Sequence, residues 1–138
     1  MNADGSAMQQ LTTGDSAEES PRWSPDGTRI AYASTVDQNT DIYMIDLVTN
    51  VLSRLTSDPA RDAAPSWSPD GSRIAFESFQ TGVLQIYVVN ADGSGLTRLT
   101  DSSGGATNPA WSPVDNNIAF MSSQDGSNAA VYLVPLDG

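Results

Sequence analysis

Four carboxylates, Glu18, Glu19, Asp58 and Asp62, are the side chains of this sequence whose type and grouping could do chemistry. A pair of carboxylates can act as general acid and base in glycoside hydrolysis. Glu18 and Asp62 each stand five residues before a tryptophan, but the third such position holds Ala106. The series is therefore broken, which favours a solvated acidic rim over a catalytic pair. A rim that binds a cation or a protein partner is the alternative.

Other catalytic chemistry is excluded by what the sequence lacks. It contains no histidine and no cysteine, so a Ser-His-Asp triad, His-ligated zinc, disulfides and thiol chemistry are all ruled out. The Asp-rich segments 2–6 and 90–94 lack the 12-residue spacing and terminal glutamate of a calcium loop, and hairpin turns are the better interpretation. We therefore expect no enzyme activity, no catalytic residue, no cofactor and no metal.

The elements that must position these residues are marked by a repeated phrase. Trp23-Ser24-Pro25-Asp26-Gly27 recurs at 67–71 and, altered, at 111–115, each time after 44 residues. A period in the forties with short strands is typical of β-propeller blades. In the second blade, β-branched and aromatic runs between turn residues predict strands at 65–68, 73–78, 84–89 and 96–100. The fold class is thus all-β, with four-stranded blades and each tryptophan packed between neighbouring blades.

The third repeat departs from the other two. Val114 and Asp115 stand where the earlier copies have Asp and Gly, and Asn117 replaces Arg29 and Arg73. A turn without its glycine must either hold Asp at a positive φ or adopt another type.

The two ends of the chain fall inside one blade. Residues 2–6 nearly copy 90–94, and Met8 and Leu11 align with residues of a fourth strand, whereas the C-terminal repeat stops after three strands. The repeats therefore span about 21–64, 65–108 and 109–138, the last completed by a strand at 7–12. Three blades are too few to close a ring, and an open arc exposes unpaired strand edges.

We consequently expect two copies to form a six-bladed ring as a homodimer. Each copy would supply its N-terminal strand to complete the C-terminal blade of the other. The residues expected to take part in this strand exchange are Met8, Leu11, Val131, Tyr132 and Leu133.

Charge limits the other partners. The net charge is −11 and the pI is about 4.1, which argues against nucleic acid and against anionic membrane surfaces. No apolar run approaches the length of a membrane span, and residues 1–20 have no signal-peptide pattern. A protein partner remains possible, and we expect it at the loops on one face of the propeller. The candidate residues are Glu18, Glu19, Asp58, Arg61, Asp62, Phe79, Gln80, Gln124 and Asp125. Arg61 is a candidate to neutralise Asp58 or Asp62, and Phe79 is a candidate apolar anchor.

The repeats resemble the WD40-like repeats of TolB-type β-propellers. The resemblance rests on a proline two residues before each tryptophan, the WSPDG turn, and the Ile-Ala-Tyr/Phe, Ile-Tyr and Arg-Leu-Thr motifs, and it covers essentially the whole chain. It implies a six-bladed propeller of a bacterial envelope protein, periplasmic or extracellular, that binds other proteins, as the TolB-type propeller binds a peptidoglycan-associated lipoprotein. Our leading hypothesis is therefore a non-enzymatic scaffold for protein contacts.

Three other functions are compatible with the same motifs. The chain could be the non-catalytic propeller of a larger hydrolase of prolyl oligopeptidase type. It could be a propeller that binds a cation or a carbohydrate in an acidic channel. It could also be an excised or engineered repeat fragment with no ligand.

Overall fold

Three antiparallel sheets make up this protein, as described by a computed structural model for residues 8–124, 126 and 128–136. Each sheet is a meander in which consecutive strands pair, in the orders β1-β2-β3-β4, β5-β6-β7-β8 and β9-β10-β11. The strands are β1 (Ala17–Trp23), β2 (Arg29–Val36), β3 (Asn39–Asp46), β4 (Val51–Arg54), β5 (Asp62–Trp67), β6 (Arg73–Ser78), β7 (Gln85–Asn90), β8 (Thr97–Arg98), β9 (Ala106–Trp111), β10 (Asn117–Ser122) and β11 (Ala130–Pro135). The predicted all-β fold class is confirmed.

The first strand of the second blade begins earlier than the sequence predicted, because it contains a β-bulge that the other two blades share. β5 begins at Asp62 and not at Pro65, and its pairing with β6 shifts register between Ala63 and Ser66. Pro65 cannot donate to the ladder, and Ala64 before it takes a φ of 53°. Ser20 and Asn108 hold the same place with φ values of 55° and 52°. The proline therefore marks a bulge within the strand and not its start.

Blades stack through their tryptophans. Trp67 is only 7% exposed, its Nε1 donates to the carbonyl of Arg22 in the preceding blade at 3.1 Å, and the Arg29 guanidinium lies 4.9 Å above the ring. Trp111 is equally buried, beneath Arg73. Trp23, in contrast, is 61% exposed. Its predicted packing between two blades is wrong for this structure, since no described strand lies on its outer side.

The WSPDG turns are held by their aspartates. In the first turn, Asp26 accepts hydrogen bonds from the Ser24 hydroxyl at 2.5 Å and from the Thr28 backbone N–H at 3.0 Å, while Gly27 takes a φ of 70°. The Ser24 hydroxyl contributes most to lowering the Asp26 pKa to about 2. Asp115, which replaces the glycine of the third turn, does not take a positive φ. The third turn therefore adopts another type, one of the two outcomes that the sequence predicted.

A close backbone contact in the third blade yields a stability prediction. A Cβ added at Gly104 would lie 2.5 Å from the backbone nitrogen of Gln124, and closer still to Ser123, so two backbone segments would have to separate. We expect Gly104→Ala to lower the free energy of unfolding by about 3 kcal/mol. Gly27→Ala is the control, because that position has open space and only its positive φ costs about 1–2 kcal/mol. Denaturant titrations of the two variants make the comparison, and equal losses would contradict it.

Candidate partner-binding face

The segment that joins the first and second blades meets a loop of the second blade at the predicted binding face. The Gln80 amide donates to Asp58 Oδ2 at 2.8 Å, and the Phe79 backbone N–H donates to the Arg61 carbonyl at 3.1 Å. Asp58 is further tied to the first blade, because the Asn39 amide donates to its backbone carbonyl at 2.7 Å. The Phe79 side chain stays 51% exposed above these contacts. We call Asp58, Arg61, Phe79 and Gln80, with Glu19, the loop face.

The sequence suggested that Arg61 neutralises Asp58 or Asp62, but its ion-pair partners are two other carboxylates. Its guanidinium lies 2.6 Å from Glu19 of the first blade and 3.3 Å from Glu77 of the second. The other Glu77 oxygen accepts the Asn108 backbone N–H at 2.9 Å. A polar chain thus links all three blades. Its Arg61–Glu19 part is half exposed and contributes little stability, whereas the Glu77 carboxylate is largely buried and satisfies the N–H at the third bulge.

Sequence reasoning missed Glu77 because nothing in its local pattern distinguishes it. The equivalent positions in the other blades hold Ala33 and Met121, as the strand pairings show. Only its contact with the next blade reveals its role.

Asp62 is fully buried, so its predicted place on a solvated rim is wrong. Among the described residues neither of its carboxylate oxygens has a hydrogen-bond partner. Burial raises the Asp62 pKa to about 7, and the nearby carboxylates Asp58 and Asp41 add to the rise. The Ser78 and Thr56 hydroxyls offset this only in part, since neither reaches hydrogen-bonding geometry with the carboxylate.

Asp41 lies in the same junction but keeps a partner. Its Oδ2 is 2.6 Å from Arg54 and its Oδ1 accepts from the Thr56 hydroxyl at 3.3 Å. Burial nevertheless dominates and raises the Asp41 pKa, against the lowering effect of Arg54. The next blade repeats this arrangement without charge, because the Thr100 hydroxyl donates to the Gln85 side chain at 2.7 Å. Asp41 and Gln85 each stand directly before an Ile-Tyr pair. This shared polar position is the sequence pattern that marks the hydrogen bonds between the third strand and the residues just after the fourth.

The remaining predicted residues are scattered. Glu18 accepts hydrogen bonds from the hydroxyls of Ser16, at 2.9 Å, and Thr12. Gln124 donates its backbone N–H to the Ser122 hydroxyl at 3.2 Å in the third blade. Asp125 lies outside the described residues.

Most polar side chains at this face form hydrogen bonds and ion pairs within and between blades. In the described part of the chain, no three His, Cys, Asp or Glu side chains are placed to hold a metal ion. The same residues include no helix long and apolar enough to cross a membrane. The loop face presents the exposed Phe79 side chain together with the Gln80–Asp58 hydrogen bond and the ion-paired Arg61. Exposed aromatic side chains of this kind are common in contacts with other macromolecules.

Comparison with known proteins agrees with the fold. The family model described as the TolB beta propeller domain matches residues 1–138. A protein assigned as TolB in Agrobacterium tumefaciens is 38% identical, with a TM-score of 0.77 over 84% of this chain and 44% of that one. TolB from Acinetobacter baumannii is 29% identical, with a TM-score of 0.77 over 86% of this chain and 30% of that one. The chain therefore spans less than half the length of either.

An enzyme also has this architecture. An oligogalacturonate lyase in complex with manganese is 25% identical, with a TM-score of 0.70 over 96% of this chain and 39% of that one. No curated protein matches the chain. The fold alone therefore does not separate binding from catalysis.

The buried Asp62 carboxyl predicts a pH dependence of stability. Its pKa of about 7 in the folded protein exceeds the ordinary value of 3.8 for an aspartate, so the folded state holds the proton more tightly. This contribution to stability is fully present below pH 3.8 and is lost as the pH rises through 7. Asp62→Asn imitates the protonated form at every pH, so we expect it to stabilise the protein much more at pH 8 than at pH 5, where the wild type keeps part of this contribution. Guanidinium unfolding of both proteins at the two pH values measures the difference, and an equal effect at both would refute the assignment.

Proposed function

This chain belongs to the TolB beta propeller domain family, and from that premise we propose that it is a non-enzymatic scaffold for protein contacts. In this proposal it pairs with a second copy to complete a six-bladed ring. The observation that carries the proposal is the exposure of a packing face at each end of the three-blade arc. By family membership we also propose a periplasmic or extracellular location.

The first exposed face belongs to the first blade. It is lined by Leu11, Trp23, Ile30, Tyr32 and Ile45, which we call the leading face. Trp23 and Leu11 are exposed there, whereas Tyr32 and Ile45 lie buried behind them. The second blade has the same face, made of Leu55, Trp67, Ile74, Phe76 and Val89, and there it is buried against the first blade. The difference is largest at the tryptophan, which is 61% exposed in the first blade and 7% exposed in the second.

The second exposed face belongs to the third blade. It consists of Ala119, Met121, Val131 and Leu133, which we call the trailing face. The pairing of Phe120 with Tyr132 corresponds to that of Phe76 with Tyr87, so Val131 and Leu133 are equivalent to the buried Ile86 and Val88. Val131 and Leu133 are 77% and 66% exposed. Large apolar surfaces of this kind are typical of interaction sites.

The two faces are the two halves of a junction that the chain makes twice internally. The trailing face of one copy would cover the leading face of the other, and twofold symmetry would make this contact twice and close the ring. If each contact buries about 1,600 Å², half of it apolar, burial contributes on the order of 20 kcal/mol per contact. The cost of association is about 4–15 kcal/mol and is paid once for both contacts.

The N-terminal segment supports strand exchange. Leu11 lines a cleft with Ile30, Tyr32 and Ile45, as Leu55 packs with Ile74, Phe76 and Val89 one blade later. β4 precedes Leu55 and pairs with β3, whereas β11 is the edge of a sheet with three described strands. In the proposed dimer, residues 8–12 of one copy add to β11 of the other, in the role of a fourth strand. Met8, 81% exposed, would be covered in this way.

The scaffold role itself rests on the loop face. Its exposed Phe79 ring would serve as the apolar anchor, and its acidic surroundings, on a chain of net charge −11, favour a partner with basic groups.

Removal of the N-terminal strand tests the assembly. We expect the intact chain to have about twice its 14.6 kDa mass in light scattering coupled to size exclusion. Deletion of residues 1–12 should shift it to the monomer, because it removes both exchanged strands and Leu11. A measured mass near 14.6 kDa for the intact chain would contradict the proposed dimer.

A single substitution on the trailing face tests the same contact with a matched control. Val131→Ser should weaken the dimer by at least tenfold, because a valine buried at each of two contacts contributes about 1 kcal/mol or more. Val48→Ser is the control, since Val48 is also 77% exposed but lies in a turn of the first blade. A dilution series in sedimentation velocity gives both dissociation constants. Equal constants would argue against a contact at β11.

A further inference from the structure

We infer that Asn117 sets the strength of the contact between copies, and that the ring opens there and not between blades of one chain. The inference rests on the proposed pairing of two copies. It comes from an arginine that covers the tryptophan at both internal junctions and is missing at the position that would face Trp23.

The first internal junction shows what the arginine does. Arg29 lies at the start of β2, and its guanidinium stacks 4.9 Å above the Trp67 ring of the next blade. Its Nη2 also donates to the Gly71 carbonyl in the next turn at 3.0 Å. One side chain thus gives the junction a cation–π contact and a charge-assisted hydrogen bond.

The second internal junction repeats the device. Arg73 lies at the start of β6, 5.2 Å above the Trp111 ring, and reaches the Asn116 side-chain oxygen in the next turn at 3.4 Å. Two junctions with different neighbouring residues keep the same arginine-over-tryptophan stack, so the stack belongs to the way these blades join.

Asn117 occupies this position in the third blade. It begins β10, and its carbonyl accepts the Ser112 N–H at 2.8 Å, as the Arg29 carbonyl accepts the Ser24 N–H at 2.8 Å. In the proposed ring it would stand over Trp23 of the second copy. An asparagine amide carries no charge and is too short to cover an indole ring while also reaching the next turn.

The contact between copies would then depend on apolar burial and strand exchange alone. Each of the two contacts in the ring lacks the stack and its hydrogen bond, so the ring is weakest there. Copies would therefore dissociate and exchange while each arc stays folded, which leaves the assembly responsive to protein concentration.

Restoration of the arginine tests the inference. Asn117→Arg should lower the dimer dissociation constant by about tenfold per contact, or about a hundredfold for two. Asn117→Lys is the matched control, because it adds the same charge without a planar group and should tighten the dimer much less. The constants come from sedimentation velocity over a dilution series, with circular dichroism melts to verify that each variant is folded.

A double-mutant cycle identifies the partner of the new arginine. In a Trp23→Leu background the gain from Asn117→Arg should disappear, since the stacking ring is gone. A gain that survives this change, or equal effects of Arg and Lys, would overturn the inference.

A second measurement keeps the two proposals separate. Arg73→Asn should reduce the unfolding midpoint of the chain itself, whereas Asn117→Ala removes only an exposed bond to Asp115 and should reduce it far less. A dimeric wild type unaffected by Asn117→Arg would refute the role of Asn117 and leave the dimer standing. A wild type that stays monomeric at the highest concentration would refute the dimer and this inference with it.

Discussion

Packing of one blade face on the next is the interaction on which the rest of this structure depends. A twisted four-stranded sheet presents apolar side chains on both sides, and it cannot cover either side by itself. In this chain the second blade is covered on both faces, which is why Phe76, Ile74 and Ile86 are fully buried. The outer blades are each covered on one side, and their other sides carry the exposed Trp23 and Val131. The pattern of burial across the three blades follows from this one requirement.

The polar groups buried between blades are stabilised in different ways. Asp41 keeps its charge partner Arg54, and Gln85 does the same structural work without charge. Glu77 turns a carboxylate towards a backbone N–H that the bulge at Asn108 would leave unsatisfied. Asp62 has neither kind of partner and instead holds its proton more tightly. Equivalent blades thus pack in the same way although their buried polar residues differ. Each junction requires only that a buried polar group has a hydrogen-bond partner or is uncharged.

The structural similarity to both TolB proteins and a lyase shows that the blade architecture does not determine catalytic activity. The same three-blade segment aligns with all of them at TM-scores of 0.70 or more. Here the loop face combines Phe79 with acidic and amide groups, and the two open blade faces repeat the halves of an internal junction. Those features are the basis of the proposed contacts with other proteins and with a second copy of the chain.

The sequence by itself determined the blade architecture, because a 44-residue repeat of strand and turn residues leaves little choice of local structure. It placed β6 correctly and identified the turns, and it marked Asn117 as a departure from the arginine pattern. It erred at Pro65, where a bulge carries β5 past a residue that normally ends a strand. Only the tertiary structure decided that Arg61 pairs with Glu19 and Glu77, that Asp62 is buried and that Trp23 is exposed. Each of these depends on which side chain of a neighbouring blade comes within a few ångströms. That distance is set by how two sheets stack, and no periodicity along one strand contains it.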